Sequence, residues 1–454
     1  MFPFRAVGFL VLLASAGCYD HRSHASVASC DDRQAKAEVL AHVRQHYLWN
    51  TELSSDQNPD DCSDPKTLLS KLTAPARLQG KDRGFSIIST IEGSADLMNT
   101  IQAVGFGSQY GLRDGRVFIC QAILGTGAAQ AGLGRGDELI AFASTRPGLD
   151  APANQAPALL ASGALWGSLE AESRPAITGF FRIRKAATGA VVDVAASTSR
   201  FPIEPVPDAA APAIFEPGGG HKVGYFMLRQ FIKLAEEQLR QVMGRFRQAG
   251  VTDLIVDFRY NSGGRLDVMG VLLNLLGRDR ATGDVMYTME FNPDRSSENR
   301  KEYFQPEANA LAPGRIAFIV TDTTASASET VVNALQPYYG GSLALIGGRT
   351  CGKPVGQLPF INRSCGWVLW LVAFQVRNAR GHGDFFQGLP DQHFTGTTMA
   401  IQDDLDHVPG SPAEACTAAA LRWIATGIAS GPPIPGPAAA RPPEPQGPRA
   451  PGPC

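Results

Sequence analysis

The chain has 454 residues, 44% of them apolar and 19% charged, with a formal net charge of −2 at pH 7. That length allows two or three globular domains with ordinary cores. The near-neutral balance, with no run of lysine or arginine, excludes a nucleic acid strand as the expected partner.

Residues 1–18 read as an export signal: Arg5, then the apolar run Val7-Gly8-Phe9-Leu10-Val11-Leu12-Leu13, then small residues ending at Cys18. The run is too short to cross a bilayer. Two cuts fit. Ala16-Gly17-Cys18 is similar to a bacterial lipoprotein signal, which predicts a lipid on Cys18 as the membrane anchor, and Ala14-Ser15-Ala16 satisfies the small-x-small rule of ordinary cleavage. Tyr19 after the cysteine resembles the pattern sorted to the outer membrane. Export permits disulfides, and the expected pairs are Cys30 with Cys62 and Cys351 with Cys365, although spacing leaves other connectivities open. No C-x-x-C spacing or histidine pair accompanies the cysteines, so no metal site is predicted.

Residues 30–95 begin with Asp31-Asp32 ahead of Ala35, Val39, Leu40, Val43 and Tyr47, an amphipathic helical spacing with an acidic start. A second short helix is predicted near Pro65–Leu69, after the loop Asn58-Pro59-Asp60-Asp61. This segment is expected to pack on the domain that follows it and to carry no chemistry. Residues 97–200 change to short strands divided by glycine turns, with Arg113-Asp114-Gly115-Arg116 as a hairpin signal.

Residues 205–430 alternate strand-like and helical runs, which predicts an α/β domain. Leu254–Phe258, Arg315–Val320, Leu343–Ile346 and Trp367–Val376 are its expected strands, with helices at Leu266–Leu276 and Ser328–Gln336. Residues 431–454 are proline-rich and cannot bury a core, so they are expected to be disordered.

The chemistry concentrates in three stretches. Ser326 stands between the small residues Ala325 and Ala327, where a strand ends and a helix begins, so its hydroxyl is expected on a tight turn. An alkyl hydroxyl needs a base to act as a nucleophile. Lys353 lies among the uncharged Cys351, Gly352, Pro354 and Val355, and Gln357 follows four positions later. To serve as a base, a lysine must titrate about 2 to 3 pH units below its ordinary ~10.4, which costs roughly 3 to 4 kcal/mol and which burial can impose. Gln357 holds the ammonium through its amide oxygen without adding charge. A histidine base stays open, since triad partners need not be close in sequence, but His382 and His393 have no evident orienting acid. The backbone N–H of Ala327, with that of Gly263 or Gly264 after the strand ending in Asp257, forms the expected oxyanion site. Taken singly, these residues have plainer roles: Ser326 as a helix cap, Lys353 as a surface charge, Asp257 and Arg259 as an ion pair beneath the turn.

Together they resemble a known family. Thr324-Ala325-Ser326-Ala327-Ser328-Glu329, Thr350-Cys351-Gly352-Lys353-Pro354-Val355-Gly356-Gln357, and Asp257, Arg259, Asn261, Gly263 and Gly264 occur with the motifs of the C-terminal processing, or tail-specific, serine peptidases. Gly388-Leu389-Pro390-Asp391 and Val223-Gly224-Tyr225-Phe226 are similar to two further elements. The chain departs from the pattern at Thr324, Cys351 and Pro354, and by extra residues near Tyr339-Gly340-Gly341.

The resemblance implies a Ser326–Lys353 dyad assisted by Gln357 on an α/β core of crotonase/Clp-like β-α repeats, with no cofactor. It also implies that 97–200 is a small β-rich PDZ-like domain, for which Gly125–Ile140 carries the helix-turn-strand signature. Val104-Gly105-Phe106-Gly107 takes the place of that domain's carboxylate-binding loop. The function so implied is an exported serine endopeptidase of envelope or unfolded polypeptides, held by lipid on Cys18 facing the periplasm, with the substrate C-terminus in the PDZ-like domain. A catalytically inactive peptide-binding scaffold and a hydrophobic-ligand carrier on the same fold are the alternatives.

Overall fold

The computed structural model describes residues 31–91, 102–165, 177–207 and 212–436. The leader with Cys18, together with Cys30, Cys454 and the end of the proline-rich tail, lies outside those residues.

An amino-terminal layer opens the chain with α1 (Asp32–His46) and α2 (Pro65–Leu78), followed by β1 (Ile87–Thr90). Asp31 caps α1 by accepting the N–H of Arg33 at 2.9 Å, and Asp64 caps α2 by accepting that of Thr67 at 2.8 Å. α2 runs nine residues past the predicted stretch, because Leu72 and Ala76 continue its apolar stripe.

The small β domain follows: β2 (Gln102–Gly105), β3 (Ser108–Arg113), β4 (Arg116–Ala122), α3 (Gly127–Gln130), β5 (Glu138–Ala143), α4 (Ala156–Ala161), β6 (Thr178–Arg184), β7 (Val191–Ser197) and β8 (Ser199–Pro202). Asp114 and Gly115, with φ of 52° and 73°, make the predicted hairpin turn between β3 and β4. The sheet order is β3-β4-β5-β6-β7, which leaves β3 as an open edge, while β2 pairs with β8. Phe106, Phe142 and Phe181 meet edge to face at its centre.

The α/β domain is built from β9 (Ala213–Gly218), β10 (His221–Met227), α5 (Ala235–Ala249), β11 (Asp253–Asp257), α6 (Leu266–Leu275), β12 (Val285–Phe291), β13 (Arg300–Tyr303) and β14 (Ile316–Val320). It continues through α7 (Ala327–Tyr339), β15 (Leu343–Gly347), β16 (Val355–Asn362), β17 (Trp367–Arg377), β18 (Thr397–Ala400) and α8 (Ala415–Thr426). Its main sheet runs β18-β15-β14-β11-β10-β9, parallel except for β9. Alternation along β11 explains why both faces are dry. Leu254 and Val256 face the α5–α6–α7 side, and Ile255 faces α8 with its Trp423. A second sheet holds β1, β17, β12 and β13, with β16 pairing on β17.

Two expectations change here. The amino-terminal layer does not pack on the domain next in sequence. Val39, Val43, Leu68 and Leu72 bury against Leu369 and Leu371 of β17, and β1 pairs antiparallel with that strand. The hairpin β16–β17 offers a long apolar strand to cover, and no sequence pattern announces which helix covers it.

The cysteines also differ. Cys62 is a buried free thiol, as are Cys120 and Cys416, so it is not bridged to Cys30. Cys351 and Cys365 are both disulfide-bonded, but not to each other. They flank the ends of β16, whose eight residues extend about 26 Å, against the Cα separation of about 7 Å at most that a bridge tolerates.

The small domain docks through Arg135. Its guanidinium donates to the Tyr260 hydroxyl at 2.9 Å, to Asp403 at 2.7 Å and to the Asp404 and His407 carbonyls, all in the α/β domain. Among the described residues no helix is long and apolar enough to cross a membrane.

Candidate active site

Ser326 sits at the N-cap of α7 with φ 55° and ψ −116°. A non-glycine residue in that region costs about 1 to 3 kcal/mol, and such outliers persist where surrounding contacts over-determine them. The contacts are present. The Ser326 N–H donates to Glu329 Oε2 at 2.9 Å, Thr324 donates its hydroxyl to the Phe258 carbonyl at 2.8 Å, and the Ala325 N–H donates to the Asn261 carbonyl at 3.0 Å.

Glu329 is fully buried and gathers four donors. Beside Ser326 they are the Thr350 hydroxyl, the Gly352 N–H at 2.6 Å and the Lys353 N–H at 2.8 Å. Burial pushes its carboxyl above the usual range, and these hydrogen bonds pull it back. The amides of Ser326 and Lys353 share one oxygen atom, Oε2, so the serine turn and the lysine loop meet at this carboxylate.

Lys353 is partly buried, and burial lowers its amine to about 8, with Asp82 and Glu329 acting in the opposite direction. Its Nζ donates to Gln357 Oε1 at 2.7 Å. No hydrogen bond joins it to Ser326 Oγ, a looseness common in active sites without substrate. Gln357 in turn donates through Nε2 to the Phe85 carbonyl at 2.6 Å. Cys351 and Gly352 give their carbonyls to Arg83, at 2.6 and 2.8 Å.

The turn after β11 closes the other side. Tyr260 has φ 64°, and Gly263 and Gly264 have φ 105° and 139°. A Cβ on Gly263 would lie 2.7 Å from Ser326 Cβ and 3.0 Å from the Ala327 nitrogen, so the two turns touch with only glycine able to fit. The Gly263 N–H donates to Asn261 Oδ1 at 2.9 Å and is therefore occupied. The Gly264 N–H has no hydrogen-bond partner among the described residues. Ala327, first residue of α7, has no intrahelical acceptor for its own N–H.

Asp257 and Arg259 form the expected ion pair beneath this turn. Arg259 is 1% exposed and also binds Asp403 and Glu414, each at 2.9 Å, while Asp257 accepts from the Tyr225 hydroxyl at 2.8 Å. His382 and His393 stack on one another at 3.8 Å, and neither hydrogen-bonds Ser326. Val104 and Gly105 pair with Arg200 and Ser199 in β8, leaving Phe106-Gly107 as the loop proper. Phe106 is itself buried in the small domain's core, and Gly107 packs against Thr126. This loop shares no hydrogen bond with the serine or lysine stretches.

Residues 222–392, which hold Ser326, Lys353, Gln357, Gly263 and Gly264, match the model of peptidase family S41. Over that stretch the chain is similar to peptidase family S41. A carboxyl-terminal-processing protease from Synechocystis is similar to this chain, 29% identical over 141 residues. That stretch is 31% of this chain and 30% of the relative, so less than a third of the relative's length is matched. Two solved structures share the fold of this chain. A protein assigned to the S41 proteases from Bacteroides fragilis has a TM-score of 0.64 at 24% identity, covering 86% of this chain and 97% of its own. The photosystem II D1 C-terminal processing protease has a TM-score of 0.52 at 16% identity, covering 85% and 96%.

Sequence reasoning missed the parts played by Glu329, Arg83 and Phe85. Glu329 stood inside the serine motif, three residues into a helix, where a capping-box acid is a readable signal. Arg83 and Phe85 carried none, since their partners lie more than two hundred positions away.

Proposed function

We propose that this chain is an exported serine endopeptidase of the S41 type acting through Ser326 and Lys353. The observation that carries the reading is the Glu329 carboxylate, which ties a strained serine turn and a lysine with a lowered amine into one place.

Neutral Lys353 donates an N–H to Gln357 and keeps its lone pair for the Ser326 proton. The freed oxygen attacks the scissile carbonyl, and the oxyanion is received by the N–H groups of Ala327 and Gly264. Lys353, now an ammonium, returns the proton to the leaving amine. The same amine then activates water to hydrolyse the acyl-enzyme.

The open edge of β3 beside Gly107 supports a PDZ-like use of the small domain, in which a substrate C-terminus adds as a strand. The leader and Cys18 support export with lipid anchoring in the envelope. The cleft of about 510 Å3 between β3 and the carboxyl ends of β14 and β15 is lined by Leu112, Val320, Ile401 and Leu405 as well as by Arg113 and Asp403, and neither Ser326 nor Lys353 lines it.

The test uses protein lacking its leader and an unfolded substrate such as casein. Cleavage is expected, with Ser326→Ala and Lys353→Ala each abolishing it; cleavage that survives both changes rejects the assignment.

A further inference from the structure

The amino-terminal turn from Asp82 to Ser86 reaches the lysine although it lies far from it in sequence. Asp82 is fully buried and accepts the N–H of Phe85 at 2.8 Å, the N–H of Ser86 at 3.1 Å, the Ser86 hydroxyl at 2.7 Å and the Tyr47 hydroxyl at 2.9 Å. Ser86 Oγ accepts the N–H of Val372 at 3.1 Å, and β1 continues as a partner of β17. Phe85 is thus held from both sides.

Two of its groups meet the site. The Phe85 carbonyl accepts only, so Gln357 must turn Nε2 toward it and Oε1 toward the amine of Lys353. The Phe85 ring centroid lies 5.1 Å from that amine and 5.3 Å from the Arg83 guanidinium, whose own bonds clamp the Cys351 and Gly352 carbonyls.

We propose that Phe85 is a positioning residue for Lys353: its carbonyl sets the orientation of Gln357, and its ring walls the amine off from water. The amino-terminal layer is then a working part of the site. This rests on the peptidase reading, and it names what keeps the base dry.

The charged groups around the amine are Asp82 and Arg83 on the turn and Glu329 on α7; Gln357, on β16, is neutral. Asp82 and Glu329 favour the ammonium, so burial alone opposes it. Phe85→Ala keeps the carbonyl and removes the wall. Water then reaches Nζ, and the lysine titrates at higher pH.

The test is pH-dependent labelling of Lys353 by trace acetic anhydride on the folded chain lacking its leader, read by mass spectrometry and paired with a kcat/KM profile. Wild-type labelling is expected to have its midpoint near 8. Phe85→Ala should raise it by about one pH unit, a roughly tenfold drop in neutral amine at low pH. Phe85→Leu, which restores the wall without an aromatic face, should return it to the wild-type position. Should Phe85→Ala not fold, Phe85→Asn is read by the same criteria.

An unmoved midpoint in a folded variant overturns the proposal, as does a wild-type midpoint at an ordinary lysine value. Labelling needs no turnover. A chain that labels near 8, shifts with Phe85→Ala and cleaves nothing rejects the peptidase reading while leaving this one standing.

Discussion

Glu329 holds the backbone N–H of Lys353 at 2.8 Å through the oxygen that also takes the N–H of Ser326. A carboxylate has about four acceptor sites and no donor, and here four donors converge on it. Few other side chains meet that demand, and the serine and lysine are placed by it rather than by contact with each other.

Glu329→Gln tests the clamp. The amide must present an N–H to at least one backbone donor, leaving buried groups unpaired at about 1 to 3 kcal/mol each. A lower melting temperature is expected, with casein cleavage down at least about 100-fold through misplacement of Ser326 and Lys353, the proposed dyad. Wild-type melting and turnover would contradict the role assigned to this carboxylate.

In the proposed mechanism only neutral Lys353 takes the serine proton, so cleavage should rise with pH through about 8. The kcat/KM profile checks this. A limb near the ordinary lysine value of ~10.4 would show an amine in water.

The same amine makes a stability prediction. Its folded titration lies below its unfolded one, so folding favours the neutral form. The penalty for burying the charge is absent above the unfolded pKa, grows as pH falls, and is complete below about 8, at up to about 3 kcal/mol. Lys353→Met should therefore stabilise the chain at pH 7 and gain less at pH 9.5, by urea unfolding at the two values.

Two glycines distinguish space from propensity. Gly263→Ala drives a methyl against Ser326 and the Ala325 carbonyl at φ 105°, and should abolish cleavage and lower stability. Gly270→Ala lies inside α6 with nothing within 4 Å of the new methyl, and should stabilise by about 0.5 to 1 kcal/mol with activity kept. Chemical denaturation and the casein assay read both.

Arg135→Ala removes the guanidinium that joins the small domain to Asp403 and Tyr260, while Asp403 keeps Arg259 and the Tyr260 hydroxyl as partners. A loss of about 1.5 to 3 kcal/mol in the docking contact is expected, that of hydrogen bonds to a charged group. Limited proteolysis should then cut between the domains, whereas a wild-type digestion pattern would place the docking energy elsewhere.

Much of this was legible in the residues. The strands of the α/β domain announced themselves as short apolar runs, the hairpin at Asp114-Gly115 by its turn chemistry, and the Asp257–Arg259 pair by its place beneath a glycine turn. Ser326, Lys353 and Gln357 were singled out because three motifs occur together, and the fold brings their loops to one place. Gly263, one of the two glycines expected to supply an oxyanion donor, is occupied instead, since the side chain of Asn261 takes its N–H. Spacing alone allows a Cys351–Cys365 bridge, but β16 runs extended between the two cysteines because it pairs along its length with β17, and that pairing keeps them apart.

The order of residues by itself determined what is local: periodicity that chooses helix or strand, acids that cap α1 and α2, small residues that permit the turn at Ser326. Folding in three dimensions decided which distant segments share water-free space. Lys353 is an ordinary lysine in the chain, and its amine is lowered by burial that only the fold supplies, against Asp82 and Glu329, which act the other way. Desolvation belongs to an enclosure, and no stretch of sequence encloses itself.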